Sequence, residues 1–75
     1  MDMDDFIARA WEAVDMFDAA GQKAVAQKIE QIIDDVNTDA ANGHADALLH
    51  GQQRLDMACA IGRQLIGLAD SLNEV

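Results

Sequence analysis

The sequence predicts an all-α protein, an antiparallel hairpin of two long helices that pairs with a second copy into a homodimeric four-helix bundle. Three observations carry that reading. The 75 residues contain no proline and 14 alanines, a composition that favours helix. The large apolar residues recur at steps of three, four, seven and eleven, which is helical periodicity. One turn-rich stretch near the middle, Asn37 to Gly43, divides the chain into nearly equal halves.

The first helix is expected over residues 4–36. Ile7, Trp11, Val14, Val25, Ile29, Ile32 and Val36 fall in one arc about 60° wide at ~100° per residue. Phe6, Ala10, Phe17 and Ala24 widen the arc on one flank. Asp2 or Asp4 can cap the start. Gly21 is the strong breaker within this span, costing ~1 kcal/mol against alanine inside a helix. Gln22 is a poor N-cap for a new helix, so the expectation is one continuous or kinked helix; a split into two is the alternative.

The turn is expected at 37–43, where Asn42-Gly43 tolerates positive φ. A second helix follows at 44–73, carrying Leu48, Leu55, Ala58, Cys59, Ile61, Leu65, Ile66, Leu68, Ala69 and Leu72. Folding about residue 40 pairs Ile7 with Leu72, Trp11 with Ala69, Val25 with Leu55 and Ile32 with Leu48. The whole chain, 1–75, reads as one domain.

In the second half of that helix the apolar arc is roughly 160–180° wide, more than one partner helix covers. A second chain is therefore expected on the spare flank, with Phe6, Trp11, Phe17, Ile61, Leu65, Leu68 and Leu72 at the dimer interface. Asp18 interrupts the apolar arc of the first helix and Arg54 that of the second. An Asp18 that reaches water at the seam boundary is one expectation; a notch beside Gly21 that receives a group from the dimer mate or a target is the other, and a pair of Asp18 with Arg54 of the dimer mate is a further hypothesis. Met16 and Leu49 point away from both seams.

Fourteen acids against five bases leave a net charge of −9, and residues 1–18 hold six of the acids and one base. That block is either a solvated helix face or a docking surface for a basic protein, with Asp5, Glu12, Asp15, Met16 and Asp18 as its contact residues. The five scattered bases offer nothing to a phosphate backbone, so no direct nucleic-acid contact is expected. No apolar run approaches the roughly 20 residues of a membrane span. The lone Cys59 and the acidic start of the chain suggest a cytoplasmic protein without a targeting leader.

Catalytic chemistry is not legible. His44, His50 and Cys59 fall on different helix faces, Cys59 lacks a histidine base, and no phosphate loop occurs, so no enzyme activity, metal or cofactor is expected. Asp35, Asn37, Asp39 and Asp46 match the first, third, fifth and twelfth positions of a calcium-binding EF-hand loop. Ala40, however, replaces its turn glycine, Asn42 its apolar residue, and Asp46 its bidentate glutamate. An Asx-rich turn is the simpler reading.

What remains is protein binding. The size and plan resemble small phage and mobile-element antagonists of host transcription factors or defence machinery, which implies sequestration or inhibition of a basic, DNA-binding partner. The plan also resembles small type III secretion co-chaperones, helical hairpins that cover an apolar helix of their partner. An RNA-binding hairpin dimer of the Rop kind shares the architecture but needs a basic face that this chain lacks.

Overall fold

A computed structural model describes residues 2–73. The chain is all-helical, as expected, but it forms three helices: α1 (Met3–Ala19), α2 (Lys23–Ala41) and α3 (Ala47–Asn73). The expected long helix over 4–36 is two helices, broken at Gly21. The turn expected at 37–43 lies at 42–46, because α2 continues through Ala41.

The ends of α1 and α2 explain both corrections. Gly21 adopts φ +80°; its amide donates to the Asp18 carbonyl at 3.1 Å and the Gln22 amide donates to that of Phe17 at 2.8 Å. Gly43 repeats the arrangement with φ +83°, donating to Ala40 at 3.1 Å while His44 donates to Asp39 at 3.0 Å. Both are Schellman stops, in which a left-handed glycine lets the chain satisfy the last carbonyls of a helix and then reverse. Such a stop needs no good N-cap after it, and Gln22 makes no side-chain cap bond to α2. At the start of α1 the carboxylate of Asp2 accepts from the Asp5 amide at 2.8 Å, so Asp2 is the cap.

Up-down-up connectivity follows. α1 and α2 are antiparallel, α2 and α3 are antiparallel, and α1 therefore runs parallel to α3. The core holds Phe6, Ala10, Val14 and Phe17 from α1 and Val25, Ala26, Ile29, Ile32, Ile33 and Val36 from α2. Ala47, Leu55 and Ala58 of α3 close it. Moving the turn also shifts the α2–α3 register, with Val36 over Gly51; Val25 borders a cleft with Ala58 and Ile61, and Ile32 one with Met57.

α1 seats on α3 through two aromatic-on-glycine contacts, eleven residues apart on each helix. Phe6 and Val36 lie over Gly51, and Phe17 lies over Gly62. A Cβ added at Gly62 would come within 2.5 Å of the Phe17 ring. Eleven residues are about three helical turns, so both rings drop into notches on the same face of α3. Phe6 and Phe17, expected at a dimer interface, are instead fully buried within the chain. The expected opposition of Ile7 to Leu72 and Trp11 to Ala69 does not occur, because α1 lies beside the first half of α3.

α3 is also the longest element, 27 residues, about 40 Å at 1.5 Å per residue. The molecule measures 50 × 18 × 17 Å. Phe17 lies over Gly62 and Ile66 still packs against the core, so the α1–α2 turn lies near Ile66 and the last two turns of α3 extend beyond the other two helices.

Candidate partner-binding surfaces

Three helices leave three grooves, and their chemistries differ. The α1–α2 groove is acidic. Trp11 stands half-exposed in it, 45% accessible, with Asp15, Asp18 and Glu30 around it and Lys23 as the one base in its lining. α1 turns Phe6, Ala10, Val14 and Phe17 inward, which puts Trp11 and the carboxylates on its outer side. Trp11, expected in the core and at the dimer interface, is thus an exposed ring on the acidic face.

The α1–α3 groove is mixed in charge. Glu12 and Met16 line it together with Arg9, Arg63, Leu55 and Cys59. Arg9 reaches Asp56 of α3 at 3.5 Å in an exposed pair. The α2–α3 groove is mostly apolar, bordered by Ala24, Val25, Ile32, Met57, Ala58 and Ile61 with Lys28 and Arg54 at its edge. It opens at one end onto exposed Leu65, Leu68 and Leu72 of α3.

The structure therefore divides the acidic contact set read from the sequence. Asp15 and Asp18 share the Trp11 groove, Glu12 and Met16 face the next groove, and Asp5 belongs to the capped first turn of α1. Asp18 reaches water as one reading allowed. Arg54 donates to Asp35 of its own chain at 3.0 Å. Met16 and Leu49 are exposed, as expected. Glu30 and Lys23 escaped the sequence reading, since only the reversal at Gly21 brings α2 beside Trp11. Met57 escaped it too, although its step of four from Ile61 was a usable signal.

The calcium-loop match falls on helix. Asp35, Asn37 and Asp39 lie within α2, where alternate residues are about 200° apart and cannot converge on one ion. Asp35 is engaged by Arg54, and Asp46 pairs with His50 at 3.3 Å. Among the described residues no group of three histidines, cysteines or carboxylates is placed to hold a metal. No described helix is long and apolar enough to cross a membrane.

Cys59 packs partly buried against the core. Burial pushes its thiol above the ordinary value; Arg63 and Arg9 pull the other way, and Asp56 adds to the rise. Because the thiolate is the nucleophile, iodoacetamide at pH 8 should alkylate Cys59 several-fold more slowly in the folded chain than in the same chain in urea. Equal rates would contradict the burial.

Comparison with known proteins adds no relative: no family model matches the chain, and no curated protein or solved structure is significantly similar to it.

Proposed function

We propose that this chain is a non-enzymatic protein-binding module that docks onto a basic protein surface through the outer face of α1. By occupying a DNA-binding regulator or a host defence component it would sequester or inhibit that partner, in the manner of a phage-type antagonist. We propose further that it acts as a homodimer in the cytoplasm, where the lone Cys59 stays reduced. Because each chain contributes three helices, such a dimer brings together six helices rather than four.

The observation that carries the docking reading is Trp11. An exposed tryptophan is the side chain most enriched at energetic centres of interfaces. Here it lies in a groove with three carboxylates and one lysine. A partner arginine or lysine laid on the indole would gain a cation–π contact and a carboxylate at once. The five carboxylates of α1, Asp4, Asp5, Glu12, Asp15 and Asp18, set a negative potential that steers a basic surface toward it.

Trp11 is the only tryptophan and the chain has no tyrosine, so its emission reports on this groove alone. Titration with an arginine-rich helical peptide should shift that emission at low salt. Affinity should fall at least tenfold as ionic strength rises from about 0.05 to 0.3 M, as screening shortens. The variant Asp15→Asn/Asp18→Asn should bind several-fold more weakly at low salt. Binding indifferent to salt and to both substitutions would defeat the proposal.

A second reading, a co-chaperone, has one specific support, the exposed apolar residues at the end of α3. It would place an apolar helix of the partner there, and it needs that surface to be free in the purified protein.

A further inference from the structure

The heptad of α3 outruns its neighbours. Gly51, Leu55, Ala58 and Gly62, at steps of four, three and four, face α1 and α2 and are all buried. The same rhythm continues through Leu65, level with the α1–α2 turn, to Ala69 and Leu72 beyond it. Beside it runs a second row with the same steps: Ile61, Leu65, Leu68 and Leu72. These four fall in an arc of about 60° at ~100° per residue. They are 51%, 41%, 62% and 76% exposed.

We propose that this row is the seam of the homodimer, with the α3 helices of two copies packed antiparallel about a two-fold axis. The proposal rests on the homodimer reading above and adds the surface, the orientation and the register. Three observations select a second copy of the chain as the occupant.

The first is spacing. Steps of four, three and four read the same in both directions, so the row is complementary to itself reversed. Ile61 then meets the partner's Leu72 and Leu65 meets the partner's Leu68. The two-fold repeats both layers, as an isologous interface requires.

The second is charge. The molecule carries −9 overall, yet α3 is neutral, with Arg54 and Arg63 against Asp56 and Asp70. The side chains flanking the row are Ala58, Gly62, Gln64, Ala69 and Ser71. Arg63 and Asp70 lie about 170–190° away, on the back of the helix. Two copies that would repel through α1 can meet here without opposing like charges, whereas a basic partner finds no carboxylate to engage.

The third is area. The exposed parts of these side chains amount to about 400 Å² per chain, so a pair covering them would bury about 800 Å², the size of a weak interface rather than a permanent one. That size suits a dimer that dissociates on dilution. The acidic groove, on the other flank of α2, stays open in it.

Sedimentation velocity of the full chain over a hundredfold concentration range tests the dimer, and cysteine cross-linking tests the seam. The wild type should pass from monomer to dimer. Leu68→Asp should stay monomeric throughout with its circular dichroism unchanged, because Leu68 is exposed in the single chain. In a Cys59→Ser background, mixed Ile61→Cys and Leu72→Cys copies should cross-link on oxidation. Leu72→Cys copies alone should not, since their cysteines would lie about 16 Å apart along the axis at 1.5 Å per residue. A dimer that tolerates Leu68→Asp, or that joins Leu72→Cys to itself, overturns the seam and leaves the dimer reading standing. A monomer at every concentration overturns both.

Discussion

Replacing Phe17 by alanine is expected to cost about 3–5 kcal/mol of stability, the range for deleting a fully buried phenylalanine from a core that cannot collapse around the gap. Phe17 is wholly inaccessible, and its ring occupies the notch left by Gly62. Collapse is hindered because the backbone of α1 is already held by the stop at Gly21, four residues on. A domain of this length is expected to have only about 4–11 kcal/mol in total, at 0.05–0.15 kcal/mol per residue. The loss would therefore remove much of its stability. Urea unfolding followed by circular dichroism should show a clearly lower midpoint, with α1 freed first. A midpoint within error of the wild type would mean that α1 is not seated as described.

The second large effect should come from filling the notch. Gly62→Leu is expected to cost about 3 kcal/mol, at the upper end for overpacking a tight core. Even Gly62→Ala should destabilise, although alanine is the better helix former by ~1 kcal/mol. Its Cβ would sit 2.5, 2.7 and 3.0 Å from three atoms of the Phe17 ring, which has nowhere to move. Gly67 is the internal control: it lies in the same helix with nothing within 4 Å of an added Cβ. Gly67→Ala should raise stability by about 0.5–1 kcal/mol, or roughly 4 °C in a domain of this size. Opposite signs at Gly62 and Gly67 would locate the close approach of α1. If both alanines stabilise, the parallel α1–α3 packing is refuted. Combining Gly62→Ala with Phe17→Leu should recover part of the loss, because the two positions share one space.

Gly21 shows where sequence reasoning reached its limit. A glycine within a periodic apolar pattern costs only ~1 kcal/mol as helix, so the residue alone does not decide between a continuous helix and a stop. The quality of the following N-cap does not decide it either. The stop is made by Gly21 and Gln22 donating back to α1, and Gln22 needs no capping side chain. In a continuous helix over 4–36 the phase of α1 would follow from that of α2, with Ile7 and Trp11 at the centre of the apolar face and Phe6, Ala10 and Phe17 on its flank. Once the helix breaks, the phases are independent. Phe6, Ala10, Val14 and Phe17 turn inward, and Trp11 turns out to the acidic groove.

Other features were legible because their causes are local. Asp2 caps α1 through a hydrogen bond three residues long in sequence, and Asn42-Gly43 ends α2. The outward positions of Met16 and Leu49 follow from helical phase, and the crowding of carboxylates onto α1 is written in the chain. The excess of apolar residues at the end of α3 was legible too: Ile61, Leu65, Leu68 and Leu72 remain exposed after the chain has folded.

By itself, then, the sequence determined helicity, the apolar side of α2, the acidic bias of α1 and the uncovered stripe on α3. These depend on periodicity, capping and charge, which act within a few residues. Only the tertiary structure decided that there are three helices and that α1 lies parallel to α3. The same holds for the two phenylalanines, which fill glycine notches in their own chain. Periodicity says that a face must be covered but not by what. The reversal at Gly21 brings Phe6 and Phe17 beside Gly51 and Gly62, residues 45 positions further along, and no local pattern encodes that meeting.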